Sequence, residues 1–409
     1  MSAAPAPTGA LADIRIIDLT QMLAGPFGTM MLADHGADVV KVEAPAGDMT
    51  RLSGPYRKDD SERVLGGYFQ SICRNKKSVC LDLKTPQGVA ALKALIADAD
   101  AVVENFRAGV LEKLGLGYEV LREINPRLVY GALRGFGDAR TGASPYSDWP
   151  AFDVVAQAMG GIMGVTGPDA DTPTKVGPGV GDTIPGMMLA FGVLAAIHHA
   201  RRTGQGQFVD VAMTDAVLAI SERIVWQHSV LGQVPGPEGN HHPFLCPFGM
   251  YPARDGFITI AAQQDSYFGV LCQKLGCPDL PADPRFGSHA LRSENRHVLI
   301  GLLSEQTSRF TKAELKQMLG GLIPFGAVQD IAEIEADPHF AAREMIVEVE
   351  QPGSTPIRIA GVPIKMTETP GRVRHRAPLL GEHTEQELRR AGLSEAAIAE
   401  ILALRAEPA

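Results

Sequence analysis

Short apolar runs alternate with helix-like stretches from residue 14 onward. Ile14-Arg15-Ile16-Ile17-Asp18-Leu19 predicts a first strand. A Gly-Pro turn follows, then a helix over residues 27–35, with Gly36 where a helix C-terminus favours glycine. Residues 38–43 predict a second strand and 78–83 a third. Thr85-Pro86-Gln87-Gly88 opens a helix with proline in its first turn, running to about Ala97. Residues 101–104 and 128–133 predict the fourth and fifth strands. Strands that alternate with helices imply parallel βαβ units with right-handed crossovers. The fold class is therefore α/β, a Rossmann-like doubly wound parallel sheet.

The pattern changes in the middle of the chain. Residues 144–182 hold many Gly and Pro and little periodicity. A helix is expected over 187–201, a turn at 203–207, a strand at 209–213 and a helix over 215–227. The Gly- and Pro-rich stretch 232–243 predicts a linker. Beyond Met250 come a strand pair around Asp255-Gly256 and helices to about residue 322. A tail then ends in a helix after Gly392. The expected division is a large Rossmann-like domain over 11–231, a smaller α+β domain over 232–330, and a return segment over 331–409.

Composition narrows the class. With 45% hydrophobic and 21% charged residues in 409, the chain reads as a folded soluble protein with a large core. Its five cysteines (Cys73, Cys80, Cys246, Cys272, Cys277) form no Cys-x-x-Cys pair. That argues against a zinc finger or a disulfide framework and fits a reducing compartment. Residues 1–10 read as a flexible lead-in without signal-peptide character. The most apolar stretch, 184–197, contains Pro185, Gly186 and Gly192 and stops at His198-His199. It is too short for a bilayer and predicts a buried helix. A cytoplasmic location without membrane contact is the expectation. The net charge of −9 disfavours a nucleic-acid partner. Residues 1–134 carry 16 basic and 16 acidic side chains, so an anionic ligand belongs there if anywhere. The acidic remainder reads equally well as solvated surface.

Generic catalytic motifs are missing. No Gly-x-Gly-x-x-Gly follows the first strand, and there is no Walker A loop and no Gly-x-Ser-x-Gly elbow. The neighbouring histidines at 198–199 and 241–242 point apart and make poor metal pairs, so no metal site is expected. Attention falls on Asp182 in Val176-Gly177-Pro178-Gly179-Val180-Gly181-Asp182-Thr183. The glycines allow close backbone approach to a ligand. Asp182 precedes the apolar helix and sits at the positive end of its dipole. Spacing alone leaves two roles open, a helix cap or a carboxylate nucleophile.

The chain resembles the family III CoA-transferases, a group that includes formyl-CoA transferase, carnitine CoA-transferase and α-methylacyl-CoA racemase. The resemblance runs from about Leu11 to Gly392. It is carried by Leu23-Ala24-Gly25-Pro26, Gly36-Ala37-Asp38-Val39-Val40-Lys41-Val42-Glu43, Gly47-Asp48-Met49-Thr50-Arg51 and Asn75-Lys76-Lys77-Ser78. Leu81-Asp82-Leu83-Lys84, Val103-Glu104-Asn105-Phe106, Asn125-Pro126-Arg127, Ala156-Gln157-Ala158 and Gly181-Asp182 continue it. Thr203-Gly204-Gln205-Gly206-Gln207, Gly239-Asn240 with His242-Pro243, and the run from Ala377 to Thr384 complete it.

The resemblance implies that Asp182 is the catalytic nucleophile and forms an aspartyl-CoA thioester. It implies acyl-CoA and a small carboxylic acid as substrates, with no tightly bound cofactor. It assigns CoA binding to Leu23, Ala24, Leu81, Asp82, Leu83, Lys84, Asn105, Phe106, Arg107 and Lys113. It assigns Gly239, Asn240 and His242 to the substrate pocket. Phe106 would cover adenine or simply pack in the core. Arg107 and Lys113, and a second cluster of Arg74, Lys76 and Lys77, would meet phosphates or remain structural. The family forms a homodimer of interlocked chains, and linkers near 232–243 and 350–356 would cross.

Departures from the family restrict the substrate. Formyl-CoA transferase carries glutamine, arginine and tryptophan where this chain has Leu23, Ala44 and a residue near Ser53. The racemase branch carries a proton-transferring histidine where this chain has Phe152. A CoA-transferase acting on a dicarboxylate such as succinate is the main reading. An acyl-CoA racemase or isomerase and a non-catalytic CoA-binding protein are the alternatives.

Overall fold

The computed structural model describes residues 9–406. The expected lead-in lies outside them except for its last two residues. Packing divides the chain into two compact units. The first contains the chain through Ile162, then Val176–Trp226, then the segment from His339. The second contains Met163–Lys175 and Gln227–Pro338.

The first unit opens with β1 (Arg15–Asp18), α1 (Ala24–Asp34), β2 (Asp38–Glu43), α2 (Gly67–Cys73), β3 (Lys77–Cys80) and α3 (Pro86–Ile96). Then come β4 (Ala101–Glu104), α4 (Val110–Lys113), α5 (Tyr118–Ile124), β5 (Val129–Arg134) and α6 (Asp153–Met159). The helix α7 (Val180–Thr203), the strand β6 (Phe208–Ala212) and the helix α8 (Met213–Ile220) follow. The next helix, α9 (Arg223–Leu231), runs into the second unit. Among the described residues the six strands form one sheet in the order β3-β2-β1-β4-β5-β6. Every pair is parallel. The expected doubly wound topology is present, and its order reverses between β1 and β4. Loops leaving those two strands part there and open a crevice at their C-terminal ends.

Alternation within each strand distributes side chains to two cores. Ile16, Val39 and Val103 face one core with residues of α1, α7 and α8. Ile17, Val40 and Val102 face the other, with residues of α3 and α5. The helices α1 and α7 cross with almost no space between backbones. A Cβ on Gly28 would lie 2.3 Å from the Gly186 carbonyl oxygen, and one on Gly186 would lie 2.2 Å from that of Ala24. This crossing brings the start of α7 to the loop after β1.

Several boundaries differ from the sequence expectation, each for a local reason. The third strand ends at Cys80 because Asp82 turns the chain, accepting the Lys84 and Thr85 N–H groups. The helix expected over 215–227 is two helices, broken after Ile220. The long helix begins at Val180 rather than after Pro185, so Asp182 stands inside its first turn. At 24 residues α7 is long and apolar enough to cross a membrane, which corrects the shorter expectation. In the first unit it packs on α1, α8, β5 and β6.

In the second unit, β7 (Phe248–Ala253) and β8 (Gly256–Ala261) form the hairpin expected around Asp255-Gly256. The helices α10 (Asp265–Leu275), α11 (His289–Glu294), α12 (Arg296–Thr307) and α13 (Lys312–Leu319) follow. The strand β9 (Phe325–Ala327) pairs antiparallel with β8, and α14 (Ile331–Ala336) comes next. Tyr251, Phe268, Phe286, Leu299 and Leu315 are buried in its core. The sequence divisions at 231/232 and 330/331 do not coincide with the unit borders. Residues 163–175 belong here, and the Gly239 N–H donates to the Gly167 carbonyl.

After α15 (Pro338–Ala342), the return segment adds β10 (Ile346–Val349), β11 (Ile357–Ala360), α16 (Thr384–Arg390) and α17 (Glu395–Ala406). It is tied to the sheet by Glu387, which pairs with Arg15 at 2.9 Å and Lys77 at 2.8 Å.

Two buried ion pairs sit beneath the crevice. Lys76 Nζ lies 2.9 Å from Asp18, and Lys41 Nζ lies 2.9 Å from Asp48, all four side chains fully buried. Burial would raise the Asp18 pKa, but Lys76 and Lys41 outweigh it and bring it to about 2. Removing one partner leaves a buried charge uncompensated. Lys76→Met is expected to cost about 3–5 kcal/mol of unfolding free energy, measured by urea titration. The stabilisation from ionised Asp18 is present above its ordinary pKa of 3.8 and is lost as pH falls through about 2. In Asp18→Asn that acid dependence should disappear from the stability curve.

Candidate active site

The crevice where the strand order reverses is built from four chain segments. After β1, Met22 adopts a φ of 65°, a strained value for a side chain with a Cβ. The turn is clamped on both sides. Asn105 Oδ1 accepts the Gln21 N–H, and Asn105 Nδ2 donates to the Gln21 carbonyl, both at 2.8 Å. Lys41 Nζ donates to the Thr20 carbonyl at 2.6 Å. Leu23 and Ala24 are thereby fixed at the mouth of α1.

After β4, Asn105, Phe106 and Arg107 form the opposite wall. The Phe106 N–H donates to Glu104 Oε2 at 2.7 Å, and Arg134 Nη2 donates to Glu104 Oε1 at 2.6 Å. Burial pushes the Glu104 pKa up to about 7 against the pull of Arg134. Arg134, at the end of β5, also pairs with Asp138.

Asp182 enters from α7, half-buried. The Asp182 N–H donates to the Gly179 carbonyl at 3.2 Å. The cap of this helix comes from elsewhere: the Gly181 N–H donates to Asp153 Oδ1 at 2.8 Å. Asp153 is held by Gln157 Nε2 at 2.9 and 3.0 Å, and Gln157 Oε1 accepts the Val176 N–H at 2.9 Å. Asp153 thus caps the Gly181 N–H. Asp182 stands in the first turn, at the positive end of the helix, where a negative charge is favoured.

These segments enclose a cavity of about 240 Å³ lined by Leu23, Ala24, Asn105, Phe106, Arg107 and Asp182. Tyr68, Arg134, Trp149 and Phe152 are also among its lining residues. Burial, then the charges of Asp182, Asp48 and Asp153, push the Tyr68 phenol up to about 12. It therefore stays a protonated donor beside Asp182 at neutral pH.

Other expected residues lie apart from this cavity. Leu81 is buried beyond β3, Leu83 packs against the core with Phe106, and Asp82 shapes the turn. Lys84 and Lys113 are exposed. Phe106 serves both readings at once, packing on the core and lining the cavity. The second cationic cluster is structural. Arg74 forks onto Asp34, Lys76 is buried on Asp18, and Lys77 binds Asp38 and Glu387. In the second unit, Gly239 adopts a φ of 62°. The Asn240 carbonyl accepts the Met250 N–H, and His242 Nδ1 accepts the Phe244 and Leu245 N–H groups. Among the described residues no cluster of three potential ligands for a metal ion occurs.

Sequence reasoning passed over Tyr68, Glu104, Arg134 and Trp149 as site residues, and it gave Asp153 and Gln157 no positioning role. Only Asp153 and Gln157 carried a usable signal, a four-residue helical spacing that puts both on one face of α6.

A family model, CoA-transferase family III, matches residues 11–384. A succinyl-CoA:mesaconate CoA-transferase from Haloarcula hispanica is 49% identical over 94% of this chain and 97% of its own length. A succinyl-CoA–D-citramalate CoA-transferase from Chloroflexus aurantiacus is 38% identical over 93% of each chain. The crystal structure of a CaiB/BaiF family protein from Brucella suis superposes with a TM-score of 0.84 at 33% identity, covering 94% of this chain and 100% of that one. The fold is α/β, with a crevice at the switch point of its parallel sheet. The chain belongs to the family III CoA-transferases.

The cap makes a specific prediction. Asp153→Ala removes the acceptor for the Gly181 N–H and should lower unfolding free energy by about 1 kcal/mol. Turnover is expected to fall about tenfold or more, because the first turn of α7 that lines the cavity loses its fixed position. Asp153→Asn keeps an acceptor oxygen and should retain more of both, as read by urea unfolding and steady-state kinetics.

Proposed function

We propose that this enzyme moves CoA from an acyl-CoA to a small carboxylic acid through an aspartyl-CoA thioester on Asp182. The observation that carries the reading is the place of Asp182. It stands in the first turn of α7, in one cavity with the Leu23-Ala24 turn and the Asn105–Arg107 loop. Its relatives act on succinyl-CoA with mesaconate or D-citramalate, which supports a dicarboxylate on each side of the exchange.

In the proposed reaction, an Asp182 oxygen attacks the thioester carbonyl and expels CoA thiolate, leaving a mixed anhydride. A thiol of ordinary pKa about 8.5 is a tolerable leaving group at neutral pH. The thiolate then attacks the aspartyl carbonyl, forms the aspartyl-CoA thioester and releases the donor's carboxylate. The acceptor carboxylate repeats both steps in reverse, and Asp182 is regenerated. One thioester replaces another, so no ATP is consumed. The Tyr68 hydroxyl beside Asp182 is suited to donate to the oxyanion of each tetrahedral intermediate. Leu23, Ala24 and Asn105–Arg107 would hold the pantetheine arm. Asp82–Lys84 and Lys113 would meet the nucleotide end, with the exposed Lys84 and Lys113 facing phosphates. Phe152 lines the cavity and has no transferable proton, which speaks against two-base racemisation. The reading extends to a cytoplasmic homodimer of interlocked chains.

Asp182→Ala should abolish transfer while unfolding free energy and CoA binding stay close to wild type. Incubation with succinyl-CoA and hydroxylamine should add a mass at Asp182 in the wild type only. Transfer within about tenfold of wild type in the variant would overturn the assignment. Interlocked chains cannot separate without unfolding, so sedimentation should show a dimer even at nanomolar concentration. Monomer formation on dilution would refute the interlock.

A further inference from the structure

Glu104 is a fully buried carboxylate that the proposed chemistry does not use. It ends β4, on one side of the switch point, and both its oxygens are engaged. One accepts the Phe106 N–H, so the carboxylate closes a tight turn that fixes the direction of the Asn105–Arg107 loop. The other accepts Arg134, whose side chain is only 5% exposed and lines the same cavity. Arg134 is anchored in turn by Asp138, which accepts the Arg140 backbone N–H at 2.9 Å and pairs with the Arg140 side chain. Asn105 is tied separately to Gln21. The loop after β4 thus has two fastenings, one to the β1 turn through Asn105 and one to the end of β5 through Glu104.

We infer that Glu104 is the positioning residue for the CoA-facing loop, and that its ionised form, bridging Phe106 and Arg134, is the binding-competent one. This rests on the reading that the cavity takes an acyl-CoA. Both oxygens accept N–H donors in the observed geometry, and a proton on either competes with one of them. Protonation therefore frees Phe106 or Arg134 and loosens a wall of the cavity. The charged and titratable groups facing Glu104 are Arg134 and Tyr130 on β5 and Glu112 on α4, with Asp138 and Arg140 beyond Arg134. Arg134 favours the carboxylate; Glu112 and burial oppose it. The balance puts the transition near pH 7, where a modest acidification changes the population.

The test uses the full chain with succinyl-CoA as probe. Amide hydrogen exchange at Phe106 reads the fastening directly, without reference to activity. From pH 8 to pH 6 the wild-type protection factor at Phe106, the intrinsic exchange rate divided by the observed rate at the same pH, should fall, and its KM for succinyl-CoA should rise about threefold. Glu104→Gln should exchange about a hundredfold faster at Phe106 and raise KM about tenfold, with kcat within about threefold and the pH dependence gone. Glu104→Asp keeps the charge on a shorter arm and should retain the pH dependence with an intermediate KM. It also serves if the Gln variant does not fold. Unchanged Phe106 exchange, or kcat and KM that collapse together with stability, would overturn the positioning role. A wild type that does not bind succinyl-CoA would instead remove the functional reading, and Phe106 exchange would still decide the fastening.

Discussion

The site depends on a buried alternation of charge below the switch point. Asp18 accepts the Thr20 N–H at 2.9 Å, the Thr29 hydroxyl at 2.7 Å and Lys76 Nζ at 2.9 Å. Lys41 answers from β2 by binding the Thr20 carbonyl and Asp48. Thr20 is thereby held by both its N–H and its carbonyl, and the chain must leave it in one direction. The strained φ at Met22 is the consequence. Such strain persists only where its surroundings over-determine it. A charged core of this kind is a poor source of net stability, because desolvation offsets most of the attraction. Its effect is to permit a single arrangement, since every alternative strands a charge in an apolar interior.

From that anchor the positions of the other groups follow. The held turn places Leu23 and starts α1. The glycine crossing at Gly28 and Gly186 sets α7 directly on α1, so the α7 N-terminus arrives at the same turn. Asp153 then ties down the first turn of α7, which carries Asp182. Asn105 joins the loop after β4 to the turn after β1. Each link is a short, directional contact between rigid elements, and together they hold Asp182 in one position.

The same edge of the sheet also shows why cations there are not interchangeable. Arg74 and Lys76 lie two positions apart in sequence and look like a phosphate cluster, yet both are consumed by internal carboxylates. Arg134 lines the cavity but is committed to Glu104 and Asp138. Arg107, Lys84 and Lys113 are exposed at the surface. Burial, rather than residue type, separates the structural cations from those available to a ligand.

The sequence alone marked the six strands of the parallel sheet and the helices α1 and α3, because apolar period and turn residues are local properties; α2, α5 and α6 were not expected from it. It also marked Asp182 and the segments around Leu23 and Asn105, through their likeness to a known family. The start of α7 was hidden, since Pro185 and the flanking glycines mimic a helix boundary whose actual position depends on packing against α1. The role of Asp153 was hidden as well, because a cap 28 residues ahead of the N–H it accepts leaves no local trace. Glu104, Arg134 and Tyr68 could be recognised only once β4, β5 and α2 had converged. Their burial, ionisation and partners arise from non-local contacts, and only the tertiary structure decides those.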